Sequence, residues 1–313
     1  WKYRRLPGVG HVERNDVVVF NFPNNDTAMA FDPAQDYYTY VRMSNRETVW
    51  NQPGGILTRP VDKKENYIKR CVGIPGDKIQ VIDGVVYVNG QKGVQFPHQR
   101  MDYRVYTNTN FILDQEYAEE NHILFRGGNP TQGYVLEMEF ETVDEIAKLP
   151  GVTKITTAVN PAGEGGKGGD MVYPQDYQEV LKWNRDNYGP ILIPKKGMTI
   201  PLTPENVGIY QRDIQVYENN KFESRDGKIF INDKEATTYT FKMDYYWLMG
   251  DNRHNSADSR FWGFVPEDHV VGKASFVWLS YGSKPDENQG PDAYTKRGIR
   301  WGRLLRSVGV LEQ

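Results

Sequence analysis

The chain has 313 residues and carries 38 Lys and Arg against 41 Asp and Glu, for a formal net charge of -3. This near balance gives no electrostatic reason to expect nucleic-acid binding. The single cysteine, Cys71, excludes an internal disulfide framework, and an aromatic content of 13% favours strands over helices.

The first part of the chain combines a basic start, one apolar run and a polar stretch. Residues 1–14 are basic and aromatic, which is typical of an interfacial segment or of a linker. Residues 17–22 form an apolar run that ends at Pro23, so we predict a strand there. Residues 24–62 are polar and are predicted to be a long loop or insertion. No run in the chain approaches the ~20 apolar residues that span a bilayer.

A second predicted strand contains a lysine with apolar neighbours. Side chains alternate between two faces of a strand, so Tyr67, Lys69 and Cys71 share one face of a strand over residues 67–72. On these residues alone, Lys69 is interpreted as a surface lysine whose aliphatic stem covers apolar groups.

Two stretches of similar sequence predict hairpins. The first has strand-like runs at 78–82 and 85–88 on either side of Asp83-Gly84, which is a strong signal for a two-residue turn. The second repeats this pattern around Asp226-Gly227. We interpret them as two similar hairpins rather than as units of a solenoid.

The middle of the chain predicts an α+β insertion. Its glycine-rich segment, 161–170, is not a phosphate loop, because Lys167 is followed by Gly168 rather than by Ser or Thr. The predicted elements are a helix over 142–149 opened by a capping box, a strand over 152–159, and helices over 174–183 and 204–218.

The densest polar loop lies between predicted strands at 245–249 and 274–279. We expect Asp251 or Asp258 to pair with a nearby arginine, Arg253 or Arg260. A purely structural turn is one explanation of such a loop. A calcium site is disfavoured because Arg253 cannot ligate a cation.

A Ser-His-Asp triad within the same loop, formed by Ser256, His254 and Asp258, is also disfavoured, because triad members come from separate elements. The tail from residue 282 is predicted to be a loop until residue 295. Its basic amphipathic end, 295–306, predicts either contact with anionic lipid or a solvated terminal helix.

Three stretches of the sequence carry a resemblance to a known family: GDNRHNSADSRFWGFVP with the following VVGKA, YIKRCVGIPGD, and DVVVFNFP. In that order, they resemble the C-terminal box, the lysine box and the box that follows the nucleophile in type I signal peptidases. These are membrane-bound serine proteases with a Ser-Lys dyad.

The resemblance implies roles for individual residues. Lys69 would be the general base, and Ser256 would orient its amine. Free lysine titrates near pH 10.4, so such a base needs surroundings that lower its pKa by about 2–3. The supporting network would comprise Asp258, Arg260, Arg70, Gly250, Asp251 and Asn252.

The resemblance also implies a fold and partners. We expect a mostly β protein with an antiparallel, barrel-like catalytic core (1–92 and 236–313) and an inserted α+β domain (93–235). Asn66, Tyr67 and Ile68 would form an edge that binds signal peptides of secreted preproteins. No metal or organic cofactor is implied, and the domain would lie on the outer side of a bacterial cytoplasmic membrane.

The nucleophile box itself, Ser-x-Met-x-Pro, does not occur in the sequence. We therefore expect an N-terminally truncated polypeptide that is inactive by itself, because a base without a nucleophile cannot form an acyl-enzyme. Two other classes remain open: a self-cleaving repressor-like protein with Ser-Lys chemistry, and a non-catalytic peptide-binding β module.

Overall fold

The computed structural model describes residues 8, 10–108, 113–165, 171–285, 294–299, 301 and 304–308. Short antiparallel strands predominate, which confirms the expected mostly β fold. The strands are β1 Val17–Asn21, β2 Thr27–Met29, β3 Asp32–Asp36, β4 Ile56–Thr58, β5 Asn66–Gly73, β6 Lys78–Ile82, β7 Val85–Val88, β8 Gln91–Lys92, β9 Arg100–Thr107, β10 Leu124–Asn129, β11 Gly133–Glu139, β12 Val152–Thr157, β13 Tyr188–Leu192, β14 Thr199–Pro201, β15 Phe222–Arg225, β16 Lys228–Ile231, β17 Lys234–Glu235, β18 Thr238–Thr240, β19 Tyr245–Met249, β20 Val265–Pro266, β21 Val270–Lys273, β22 Phe276–Val277, β23 Tyr281–Pro285, β24 Tyr294–Ile299 and β25 Arg306–Ser307. The helices are α1 Tyr37–Met43, α2 Arg46–Trp50, α3 Gln115–Glu120, α4 Val143–Ile146, α5 Gln178–Leu181, α6 Val207–Arg212 and α7 Ser259–Trp262.

A five-stranded antiparallel sheet, in the order β20-β19-β5-β1-β21, contains strands from all three stretches that resemble known boxes, and most of the C-terminal box is the loop between β19 and β20. Its central strand, β5, pairs with β1, where Val18 lies opposite Lys69. On its other side β5 pairs with β19, where Met249 lies opposite Arg70. The strands predicted from these apolar runs are confirmed, and their pairing brings Lys69 close to the loop that follows β19.

β19 is buried on both faces, which accounts for its uninterrupted apolar sequence. Tyr245, Trp247 and Met249 pack into the largest hydrophobic core, whereas Leu248 packs on the opposite face with Cys71. Burial of each large apolar side chain contributes roughly 1.5–3 kcal/mol. The polar loop therefore starts from a firmly held strand.

Both predicted hairpins form. β6 and β7 pair across Asp83 and Gly84, whose φ angles of 49° and 78° suit a two-residue turn with positive φ at both positions. β15 and β16 pair in the same way across Asp226 and Gly227, with φ angles of 50° and 72°. The two similar sequences therefore form hairpins with the same turn geometry.

The middle of the chain forms a separate four-stranded sheet, in the order β10-β11-β9-β12. The predicted strand over 152–159 is confirmed as β12. The predicted helix over 142–149 shortens to α4, because the backbone N–H groups of Lys148 and Leu149 bond three residues back, to Glu145 and Ile146, rather than four. The predicted capping box does not form, since the Thr142 side chain caps no backbone N–H. The core of this sheet consists of Met101, Tyr103, Val105, Ile123, Leu136, Met138 and Ile146.

Two other predicted helices are present with changed boundaries. The helix predicted over 204–218 is α6, continued by a π-helical turn over Asp213–Tyr217. The helix predicted over 174–183 is a 3-10 turn followed by α5, which ends where Lys182 adopts a positive φ of 52°.

β13 lies within the predicted insertion, yet it pairs with β6 of the predicted core. The predicted core and the predicted insertion therefore contribute strands to one sheet. The division into a core (1–92 and 236–313) and an insertion (93–235) stays a prediction.

For residues 24–62 a long loop or an insertion was predicted, and the long loop is wrong. This stretch contains α1, α2 and a small sheet in the order β3-β2-β4. Met29, Tyr37 and Val49 form its core. These elements could not be recognised from the sequence, because so few of their residues are buried that the stretch is polar in composition.

The C-terminal predictions are partly wrong as well. The strand predicted over 274–279 is reduced to β22, which pairs with β25. β23 pairs with β24, so the described part of the tail forms a hairpin where a loop and a terminal helix were expected. The features predicted for residues 1–14, 161–170, 282–295 and 295–306 lie partly outside the described residues, which do not include 1–7, 9, 166–170, 286–293, 300 and 302–303.

Candidate active site

The loop over 250–260 is closed by one buried carboxylate. Asp258, which is fully buried, accepts hydrogen bonds from the backbone N–H of Gly250 (3.2 Å) and of Arg260 (3.1 Å). The Arg260 guanidinium donates to both oxygens of Asp258, from Nε at 2.9 Å and from Nη2 at 2.7 Å. The carboxylate thus joins the two ends of the loop and neutralises the buried arginine.

A second carboxylate attaches the loop to the lysine strand. Arg70 donates to Asp251 from Nε (2.8 Å) and Nη2 (2.6 Å), and its Nη1 donates to the carbonyl of Asn15 (2.9 Å). The guanidinium also lies 3.8 Å from the ring centroid of Phe96. The sequence predicted Asp–Arg pairs within the loop, but for Asp251 the structure gives a partner from β5.

Lys69 and Ser256 approach each other over Gly250. A Cβ added at residue 250 would lie 2.1 Å from Ser256 Oγ and 3.4 Å from Lys69 Nζ, so only glycine leaves room for both side chains. They line a cavity of about 240 Å³. Its lining residues are Val17, Ile68, Lys69, Arg70, Gly250, Asp251, Asn252, Asn255 and Ser256.

The Ser256 hydroxyl donates to the carbonyl of Ala257 at 3.4 Å. Within the described part of the chain, no hydrogen bond joins this hydroxyl to the Lys69 amine. The role of Ser256 in orienting the amine therefore stays a prediction.

Burial lowers the pKa of Lys69 from its ordinary value. The nearby carboxylates of Asp258 and Asp251 act in the opposite direction, and the guanidinium of Arg260 adds to the lowering. Both carboxylates are engaged by arginines, so neither is a dedicated partner of the amine. An amine in this setting is easier to deprotonate than a free lysine and suits a general base.

The three residues predicted to bind substrate lie on one half of β5. Asn66 accepts a hydrogen bond from Asn21, the Tyr67 ring stacks on Phe22 with centroids 4.7 Å apart, and Ile68 is 55% exposed. β1 pairs with this half of β5 along one edge. Among the strands that the structure describes, none pairs with the opposite edge before Arg70.

The contacts between this loop and the middle sheet were not predicted from the sequence. The backbone N–H of Arg100 donates to the carbonyl of Asp251 (2.9 Å), and that of Arg253 donates to the carbonyl of Arg100 (2.8 Å). Asn252 Nδ2 donates to Glu137 Oε1 at 2.8 Å. Nothing in the local sequence could indicate these contacts, because they join segments more than 100 residues apart.

One group of side chains has the composition of a metal site. The ligand atoms of His98, Glu139 and Glu141 lie within 4.8 Å of one another. His98 Nδ1 is 2.8 Å from Glu139 and 2.9 Å from Glu141, so the three groups already satisfy one another as an ion pair. None of them lines the cavity beside Lys69.

The chain is similar in sequence to known signal peptidases. The family model described as "Signal peptidase, peptidase S26" matches residues 2–133 and 193–279. Signal peptidase I of Buchnera aphidicola subsp. Baizongia pistaciae is 46% identical over 249 residues, which cover 80% of this chain and 59% of that protein. Signal peptidase I of Buchnera aphidicola subsp. Acyrthosiphon pisum is 24% identical over 255 residues, covering 80% and 58% respectively.

A shorter match has a higher identity. Signal peptidase I of Haemophilus influenzae is 55% identical over 63 residues, which cover 20% of this chain and 16% of that protein. The chain spans about three fifths of the length of the two Buchnera relatives.

Proposed function

The chain belongs to the signal peptidase family, peptidase S26, and on that premise we propose that it is a serine endopeptidase that removes signal peptides from exported preproteins. The observation that carries the proposal is the position of Lys69. Its amine lies in a cavity beside Ser256, its pKa is lowered by burial, and the surrounding carboxylates are engaged by arginines.

In the proposed mechanism the neutral Lys69 amine takes the proton of an attacking serine hydroxyl and returns it to the leaving amine. Ser256 would orient the amine, and the pairs Asp258–Arg260 and Arg70–Asp251 would hold the loop against β5. The sequence contains no Ser-x-Met-x-Pro motif. Of the proposed Ser-Lys dyad, this structure therefore describes the lysine, Lys69, and not the nucleophilic serine.

The substrate would bind as an added strand. The edge of β5 that precedes Arg70 offers backbone hydrogen-bonding groups to an extended peptide. Lys69 lies on the same half of the strand, so a peptide paired with Asn66, Tyr67 and Ile68 would pass beside the amine. The small side chains of an Ala-x-Ala cleavage site would then face the cavity.

We also propose that the protein acts at the outer face of a bacterial cytoplasmic membrane and that a patch of its exposed apolar residues contacts the membrane surface. β22 and β25 pair, and the backbone N–H of Leu305 donates to the carbonyl of Val277 (2.7 Å). Large exposed side chains surround this junction, next to Arg306: Phe276, Trp278, Leu279, Trp301 and Leu305. Such a surface suits the interfacial region of a bilayer. Within the described residues, no helix combines the length and apolarity that crossing a bilayer requires.

The test uses the full-length gene product in detergent with a preprotein that carries an Ala-x-Ala site. Lys69→Ala should lower the cleavage rate by at least about 100-fold, since general-base catalysis commonly contributes that much. Lys92→Ala, at an exposed lysine of β8, is the matched control and should cleave like the wild type. Equal cleavage by Lys69→Ala would remove Lys69 as the base. If no form cleaves while circular dichroism shows intact folds, the peptide-binding alternative replaces the protease.

A further inference from the structure

His254 is buried in the catalytic loop between two carboxylates from other parts of the chain. Its side chain is only 1% exposed. Nε2 lies 2.8 Å from Asp186 Oδ1, and Nδ1 lies 3.3 Å from Asp102 Oδ2. Asp102 is on β9 of the middle sheet, and Asp186 lies just before β13. The imidazole therefore connects the loop to two segments that are distant in sequence.

The Nδ1 atom has a suitable partner in each protonation state. The backbone N–H of Asp102 is 3.1 Å away and can donate to Nδ1 when the imidazole is neutral. The Asp102 carboxylate can accept from Nδ1 when the imidazole is charged. The bond to Asp186 can be kept in both states. Protonation thus changes only the contact between the loop and β9.

The surrounding charges favour the imidazolium. Burial lowers the pKa of His254, but hydrogen bonds to Asp102 and Asp186 raise it, and the net result is a pKa above the ordinary value. Arg185, whose Nη1 donates to the His254 carbonyl at 3.1 Å, acts against the positive charge. Further cations near this group are Arg126, which lowers the pKa of Asp102, and Arg260, which donates to the carbonyls of Arg185 and Arg253.

The Asp102 carboxylate depends on this contact. Its side chain is 18% exposed, and its buried Oδ1 atom has no hydrogen-bond partner among the residues that the structure describes. The largest influence that lowers its pKa is the bond to His254. A neutral imidazole would deprive this largely buried carboxylate of its strongest counter-charge and leave it only the weaker influences of Arg185 and Arg126, which is costly. Loss of the His254 proton should therefore loosen the loop from β9.

Such loosening would reach the cavity directly, because His254 precedes Ser256 by two residues. We propose that His254 is a positioning residue for the reaction proposed above, whose imidazolium ties the catalytic loop to β9 and to the segment before β13 and so keeps Ser256 beside Lys69. The inference rests on the proposed function. It is not implied by membership of the family, since Asp186 lies in the stretch 134–192 that the family model does not match.

The first arm of the test is kinetic and uses the full-length gene product with the preprotein substrate. His254→Gln should lower kcat by about 10- to 100-fold, the effect expected of a misplaced group, and should leave KM unchanged. His98→Gln is the matched control, because His98 also lies between two carboxylates but is half exposed and away from the cavity. It should leave kcat and KM as in the wild type.

The second arm needs no activity. Hydrogen exchange of peptides that span residues 248–262, corrected for intrinsic rates, is followed from pH 6 to pH 9. Wild-type protection should be full at pH 6.5 and below and should fall as the pH rises through the raised pKa of His254. In His254→Gln the protection should not change with pH. In Asp102→Asn, which keeps the histidine, the fall should move to lower pH.

The two arms separate the two proposals. If the wild type does not cleave the preprotein, the proposed function fails, and hydrogen exchange alone decides the role of His254. Wild-type protection that is constant with pH, or a fall that Asp102→Asn leaves in place, would overturn the assignment. So would a His254→Gln protein that keeps the wild-type kcat.

Discussion

Arg70 and Asp251 form a two-bond ion pair between the lysine strand and the loop that faces it. The guanidinium is 3% exposed, whereas the carboxylate is 40% exposed. The buried Arg70 guanidinium therefore depends on this pair for its solvation, whereas the Asp251 carboxylate is also solvated by water. Since Arg70 follows Lys69 and Asp251 follows Gly250, it sets the distance between the two walls of the cavity.

Asp251→Asn should lower the free energy of unfolding by about 1–3 kcal/mol, because it removes the charge from the carboxylate that accepts two hydrogen bonds from the buried guanidinium. The control is Asp233→Asn, which breaks the exposed pair between Asp233 and Lys221 and should cost less than about 1 kcal/mol. Urea denaturation of both variants measures the difference. Equal effects would mean that the Arg70 pair contributes no more than a surface pair.

Gly250→Ala should reduce cleavage of the preprotein by roughly 100-fold, because the new methyl group would displace Ser256 and crowd the Lys69 amine. Overpacking of this kind costs about 1–3 kcal/mol, so the fold should survive. Gly272→Ala is a suitable comparison, since a Cβ there meets no atom within 4 Å. A Gly250→Ala protein as active as Gly272→Ala would show that the spacing over Gly250 is not critical.

Burial of the Lys69 amine should also appear in the pH dependence of stability. A lysine whose pKa is lowered in the folded state binds its proton more tightly when unfolded, so the charged amine opposes folding. Lys69→Met should therefore raise the free energy of unfolding at pH 7. The gain should shrink as the pH rises from the folded pKa through 10.5, because the amine becomes neutral in both states only above that pH. Urea titrations at pH 7 and pH 10.5 test this, and a gain that does not change with pH would contradict it.

The sequence predicted most where local patterns coincide with packing. The apolar runs of β1 and β19 and the Asp-Gly turns at residues 83 and 226 were each decided by neighbouring residues, and each formed where expected. The stretch over 24–62 could not be predicted in this way, because a core of so few buried side chains leaves almost no periodic pattern.

In the candidate site, too, the parts that could be predicted are those formed by residues close together in the sequence. Lys69, Asp258 and Arg260 stand in recognisable segments, and the pairing of Asp258 with Arg260 is a contact between near neighbours. Arg70, by contrast, meets Asp251 only because β5 and β19 pair. The contacts that the middle sheet makes with His254 depend in the same way on how distant segments pack.

The apolar patch around Trp278 and Trp301 should bind the surface of vesicles that contain anionic phospholipid. The double variant Trp278→Ala, Trp301→Ala should sediment with such vesicles several-fold less than the wild type, because aromatic rings contribute much of the interfacial binding of exposed apolar surfaces. Trp50→Ala is the matched control, since Trp50 is also exposed but lies on α2. Raised salt should weaken binding of all three proteins to a similar degree, because the basic residues are retained. A double variant that binds like the wild type, or a Trp50→Ala protein that loses as much, would place the membrane contact elsewhere on the molecule.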